Sequence, residues 1–212
     1  IIDISVAISP DMSVYPGDPQ PSVEKVFSIK NDGFAVSTIN LGTHTGTHID
    51  APSHIIEGGA SIDMVALDSF YGRAVVFDLS YIGRDVSASD IEAHLEQSAV
   101  CRGKLPAILL LKAIGFSTGS EVSKEQYSTV GFDENVGQWI LDSKFKTVGV
   151  DTFSIDSDLN LPNHKLLLQH NVCIIENLNL VEVKEGIYDF ICFPLKLIGC
   201  DASPARAILV EI

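Results

Sequence analysis

Leu41–Ile55 reads LGTHTGTHIDAPSHI, and this stretch decides how the rest of the chain must be arranged. It carries His44, His48, Asp50 and His54, so three of the six histidines and an aspartate fall within eleven residues. A packed core would need a separate partner for each of these polar groups, whereas a divalent metal uses them together. His44 and His48 stand four apart, which on a helix would put both on one face. The helix fails because Thr45-Gly46-Thr47 is poor helix material and Asp50 would point to the opposite side. A fully extended chain fails too: four residues at ~3.3 Å each separate the ends by roughly 13 Å, whereas zinc ligands lie about 2.0 to 2.2 Å from the metal. The backbone is therefore expected to turn tightly at Gly46, where glycine tolerates the required dihedrals, and to run extended from His48 to Asp50.

Two imidazoles and one carboxylate leave a coordination position open, which is the catalytic rather than the structural pattern. His54 follows Pro52 and Ser53 and reads either as a fourth ligand or as a general base held off the metal. The competing reading makes all four side chains hydrogen-bonded loop residues. Further along, His164 stands in the first turn of a predicted helix that Asn163 would cap. Glu176 stands inside the apolar run VCIIENL, where an unpaired carboxylate is costly. A cation would satisfy Glu176, and so would a salt bridge to Lys or Arg.

The 212 residues suit one domain, with 46% hydrophobic and 20% charged residues describing a globular protein with a sizeable core. A net charge of −14 repels phosphate backbones, so nucleic acid is not an expected partner. No apolar run is long enough to span a membrane and no signal-peptide pattern appears, which leads to the expectation of a soluble, cytoplasmic protein without a membrane partner. The chain starts at Ile1 rather than Met, so a few native or tag residues are expected to precede it. Cys101, Cys173, Cys192 and Cys200 form no CxxC pair and read as reduced, buried thiols.

Strands are expected over 1–8, 23–29, 34–41, 73–79, 107–111, 146–150, 172–178, 190–195 and 207–212. Helices are expected after Ile62, after a Ser89/Glu92 capping box with His94 solvent-facing, after Asp133 with Trp139 in the core, and from His164. Tyr15 sits in Tyr15-Pro16-Gly17-Asp18-Pro19, a rigid loop and a candidate pocket wall. The Gly58-Gly59 turn is a second candidate wall, and Asp151 and Asp156 read as loop-capping residues. The sum is a single α/β domain with a mixed sheet, and no glycine-rich phosphate loop indicates a nucleotide.

His44-Thr-Gly-Thr-His48-Ile-Asp50-Ala-Pro52-Ser-His54 fits HxGTHxDxPxH at every specified position and resembles the cyclase family of metal-dependent hydrolases, which includes bacterial kynurenine formamidases and isatin hydrolases. The resemblance extends over Pro16-Gly17-Asp18, Val148–Asp156, Glu176-Asn177-Leu178, Pro194-Leu195-Lys196 and Asp201–Arg206. It implies a swivelling β/β/α fold over 1–212, assembled as a homodimer or homotetramer. It also implies zinc, two ions per subunit, or else manganese. His44, His48 and Asp50 would hold one ion, His164 the second, with Asp50 and Glu176 bridging both. His54 would be the catalytic acid/base, and Tyr15 would contact substrate where formamidases carry a tryptophan. Ala113 and Ala202 also depart from the family pattern, replacing an expected threonine and a common glycine.

The activity so implied is arylformamidase hydrolysis of N-formylkynurenine or a similar N-formyl aromatic amine, a step of tryptophan catabolism, by water activated on the metal with His54 carrying the proton. Two alternatives remain. One is hydrolysis of a cyclic amide, imide or lactone, and the other is a non-catalytic metal-binding scaffold.

Overall fold

The structure is a computed structural model describing residues 1–98, 100, 103–114 and 130–212. Cys101 lies outside the described residues. The strands are β1 (Ile2–Asp3), β2 (Ser22–Phe27), β3 (Val36–Asn40), β4 (His48–Asp50), β5 (Tyr71–Asp78), β6 (Ile108–Lys112), β7 (Thr147–Val150), β8 (Cys173–Glu176), β9 (Gly186–Pro194) and β10 (Ala202–Val210). The helices are α1 (Ile29–Asp32), α2 (Ala88–Gln97), α3 (Val136–Asp142) and α4 (Pro162–Gln169).

The main sheet runs β1-β10-β4-β8-β7-β6-β5-β9, and β9 also pairs with β10, so the sheet closes on itself. Strands β5 to β8 are parallel to their neighbours, while β4, β9 and β10 join antiparallel. Alternate residues of each strand face opposite sides. Ala74, Val76, Ile108, Leu110, Cys173, Ile175 and Ile49 point into the closed sheet. Val75, Phe77, Leu109, Leu111, Val148 and Ile174 point outward, where Ile91, Val136, Ile140, Leu167 and Leu168 cover them from the helices. The closed sheet supplies two β layers and the helices a third, which is the mixed α/β, β/β/α architecture expected.

This alternation positions the site. Ile49 faces inward, so His48 and Asp50 face outward, and His48 pairs with Glu176 and Asp50 with Ile174 across β4 and β8. Glu176 shares the outward side with Ile174, beneath α4, which carries His164.

Several local expectations change. The capping box at α2 is Ser87 with Asp90, not Ser89 with Glu92, because the Ser87 hydroxyl accepts from the Asp90 amide and Asp90 returns the bond. His94 is not solvent-facing: its Nε2 lies 2.6 Å from Glu185 and its ring lies against Phe77 and Tyr81. Residues 62–69 form two short 3-10 turns instead of a helix, since each is closed after one turn. Strand β1 is only two residues long, with one further bridge from Ser5 to Leu178.

Cys173, Cys192 and Cys200 are free thiols; Cys173 and Cys192 are buried as expected, whereas Cys200 is only half-buried. Among the described residues no helix is long and apolar enough to cross a membrane. β2 and β3 form a separate hairpin on which Val23, Val26, Phe27, Ile29, Phe34, Val36 and Ile39 are 41–73% exposed.

Candidate metal centre

The turn through 42–46 forms as the spacing requires. Gly46 has φ +65°, a left-handed conformation that costs glycine little, and a Cβ there would sit 3.2 Å from the Ile8 side chain. β4 then carries His48 and Asp50 forward on one face. His44 Nδ1 lies 2.9 Å from Asp50 Oδ1. His48 Nδ1 donates to the Gly46 carbonyl at 2.8 Å, which turns Nε2 toward Asp50 Oδ1 and Glu176 Oε2, each 3.5 Å away.

His164 arrives from the far end of the fold on the first turn of α4. Leu161, in a left-handed conformation, is the residue flanking that helix, so Asn163 does not cap it as expected. The cap is the Asp156 carboxylate, which accepts from the amides of Asn163 and His164 at 2.8 and 3.0 Å. The same carboxylate accepts from His164 Nδ1 at 2.7 Å, leaving Nε2 to face Glu176 Oε1 at 3.2 Å and Asp50 Oδ2 at 3.5 Å. Asp156, expected to cap loop backbone, instead caps this helix and also orients a candidate ligand. Asp151 holds the amides of Ala113 and Ile114, a loop-capping role as read from sequence.

Among the described residues the result is three groups of donors, His44/His48/Asp50, Asp50/His164/Glu176 and the more exposed His44/His54/Asp201, each with its donor atoms within 4.8 Å of one another and Asp50 common to the two buried ones. Whether a cation fits can be judged from the buried lone pairs. Among the described residues, His48 Nε2 and both Asp50 oxygens are buried with no well-formed hydrogen bond, facing one another, His44, His164 and Glu176 at 2.9 to 3.5 Å. Leaving such atoms unsatisfied is costly, and a bound cation removes that cost. Imidazole nitrogens with carboxylate oxygens are the donor set that zinc accepts.

Without metal, these groups brace one another electrostatically. Burial works against charging His44, but the carboxylates of Asp50 and Asp201 outweigh it and push its pKa up to about 9. His48 and His164 are raised as well, their own burial being overcome by Asp50 and Glu176. Burial alone would raise Asp50 and Glu176, yet the facing histidines hold both below their ordinary values.

In the metal-free centre His44 is therefore protonated near neutrality, and a metal bound there must displace that proton. A raised folded pKa stabilises the fold below the unfolded value near ~6.5 and loses that contribution as pH rises through the folded one. Metal-free protein should accordingly lose stability between pH ~6.5 and about 9, while metal affinity climbs over the same window. Calorimetric metal titrations in buffers of different ionisation enthalpy should show net proton release at pH 7; equal apparent enthalpies would contradict it.

His54 ends the turn Pro52–His54, outside both Asp50-containing groups. Its ring lies 4.2 Å from that of His44 and 5.9 Å from that of His164. Burial lowers its pKa, reinforced by the neighbouring histidines against Asp50 and Asp201, so it is unprotonated at neutral pH. His44, His48, His54 and Glu176 line a cavity of about 190 Å³ together with Tyr15, Asp18 and Phe153. Tyr15, Phe153 and Ser154 also line an adjoining cavity of about 480 Å³. The loop 11–19 is thus a wall, as expected. The Gly58-Gly59 turn is instead packed against Pro52, where a Cβ on Gly59 would come within 2.7 Å of backbone. Phe153 and Asp201 were not singled out individually from sequence; the only signals were an aromatic between two aspartates and the DASPAR run.

The fold and the site together define an α/β protein with an open, cleft-facing centre suited to a metal cofactor. A sequence profile described as "Putative cyclase" matches residues 2–157, and the chain belongs to this family. It is 35% identical to the kynurenine formamidase of Polaromonas naphthalenivorans (strain CJ2) over 100% of this chain and 91% of the relative. A solved "predicted metal-dependent hydrolase" from Bacillus stearothermophilus is 33% identical, with a TM-score of 0.78 over 98% of this chain and 96% of that one. Isatin hydrolase A from Labrenzia aggregata shares the fold, with a TM-score of 0.83 at 21% identity over 98% of this chain and 92% of that one.

Proposed function

We propose that this chain is a zinc-dependent arylformamidase acting on N-formylkynurenine or a similar N-formyl aromatic amine. The observation that carries this reading is the place of His54, an imidazole on the cavity wall beside, but outside, the two donor groups that share Asp50. His44, His48 and Asp50 would hold one ion and Asp50, His164 and Glu176 the other. When bound, the metal supplies Lewis-acid polarisation of the scissile carbonyl and a lowered pKa for water.

His54 takes the proton from the attacking water as the new C–O bond forms, then returns it to the leaving nitrogen as the C–N bond breaks, releasing formate and the aromatic amine. Tyr15 and Phe153 line both cavities and would stack on the substrate ring. Tyr15 is also the departure from the formamidase pattern that favours a second reading, hydrolysis of a cyclic amide such as isatin. We infer in addition a homodimer or homotetramer, supported by the apolar side chains exposed on the β2–β3 hairpin, since such a hairpin is marginal alone.

The test is a side-by-side assay of purified, zinc-loaded protein with N-formylkynurenine and isatin, with bound metal counted by elemental analysis and mass by light scattering. Cleavage of N-formylkynurenine with two zinc ions per chain, one for each donor group that contains Asp50, is expected. Cleavage of isatin alone would establish the second reading. Metal retained with neither substrate cleaved would leave a scaffold or an untested amide or lactone.

A further inference from the structure

We propose that Asp201 is a positioning residue that fixes the tautomers of both His44 and His54, an inference that rests on the hydrolase reading above. Asp201 lies immediately before β10, whose Ala202 is paired with Asp50, and its carbonyl accepts from the Ala51 amide at 2.9 Å. Closure of the sheet thus sets this carboxylate beside the histidine motif, although most of the chain separates them. Its Oδ1 accepts from the Thr43 hydroxyl at 3.1 Å, which aims Oδ2 at the two rings. Oδ2 lies 3.0 Å from His44 Nε2 and 3.6 Å from His54 Nδ1.

One carboxylate oxygen has lone pairs for both contacts, and which nitrogen of an imidazole keeps its proton follows from the hydrogen bond the other makes. Asp201 therefore holds the proton of His44 on Nε2, leaving the Nδ1 lone pair directed toward Asp50 and the donor group. It holds the proton of His54 on Nδ1 and leaves the Nε2 lone pair free to accept a proton. The 3.6 Å separation is longer than a hydrogen bond, so Asp201 acts on His54 through its charge, which favours the tautomer whose Nδ1–H faces the carboxylate. A carboxylate behind a ligating histidine is a recurrent means of orienting the ring. Asp201 does this for a candidate ligand and for the proton carrier with a single atom.

Zinc-loaded wild type, Asp201→Asn and Asp201→Glu should be compared with N-formylkynurenine as probe and by ¹⁵N NMR of the histidine rings. The Asp201 side chain is 43% exposed, so both variants should fold, which their melting curves will show. Asp201→Asn should lower kcat about 10- to 100-fold with KM and zinc content unchanged, and Asp201→Glu should recover part of the loss. In the Asn variant, the His44 and His54 resonances should move from single tautomers to mixtures. Unchanged kcat and ring spectra would overturn the assignment, and loss of a zinc equivalent would mark Asp201 as a ligand instead. If the wild type does not cleave the probe, the formamidase reading falls, while the ring spectra still decide the role of Asp201.

Discussion

Asp50→Asn should strip the centre of metal and reduce turnover by more than about 100-fold, the upper scale of changes made merely behind a ligand. Asp50 is common to the two buried donor groups, with His44, His48 and His164 at 2.9, 3.5 and 3.5 Å, so among the described residues it touches more of the site's histidines than any other side chain. Asparagine keeps the shape but removes the charge and aims an N–H₂ donor at imidazole nitrogens that should meet a cation. Zinc present at 100 times its dissociation constant should stabilise the wild type by about 2.7 kcal/mol and the variant hardly at all. Melting curves with and without zinc, alongside elemental analysis, read this directly. A variant that keeps its zinc and its zinc-dependent shift would show that Asp50 is not a shared ligand.

His54→Ala should leave zinc content intact and lower kcat by about 10²- to 10⁴-fold, the range that a positioned acid/base supplies. Burial, with His44 and His164 close by, holds the pKa of His54 below its ordinary value. The sign follows: at neutral pH the ring can accept a proton, and it loses that ability only as pH falls through this lowered pKa. The wild type should therefore show an acid limb below pH ~6.5 that the variant lacks. Full turnover by the alanine variant would remove His54 from the mechanism, and loss of zinc would make it a ligand. Asp201→Asn differs from both, since it should alter kcat and ring tautomers with the metal in place.

The ligand turn was legible because its geometry is local. Gly46 and the extended run from His48 to Asp50 follow from dihedral preferences and reach within a few residues, and the structure has both features. His164 and Glu176 were legible only as anomalies, a histidine on a helix start and a carboxylate in an apolar strand. Nothing local said whether Glu176 meets a cation or a basic side chain; the β4–β8 pairing sets it opposite His48, so that it faces the imidazoles of His48 and His164. The cap of α4 was misread for a related reason. Asn163 has the right chemistry and position, but Asp156 reaches the same amides from the preceding loop, and Asn163 instead accepts from the Gly137 amide on α3.

By itself the sequence determined the cluster of His44, His48 and Asp50, the bend at Gly46 and the alternation of inward and outward residues, because these depend on short stretches whose backbone geometry has few solutions. Only the tertiary structure decided that Asp50 is common to two donor groups, that Asp156 stands behind His164, and that Asp201 reaches both His44 and His54. Those relations are set by strand register and by closure of the sheet through β9 and β10. A register shift of one residue would turn His48, Asp50 and Glu176 into the interior and the apolar core out to water. Burial of that core on both sides of the sheet therefore holds the centre together.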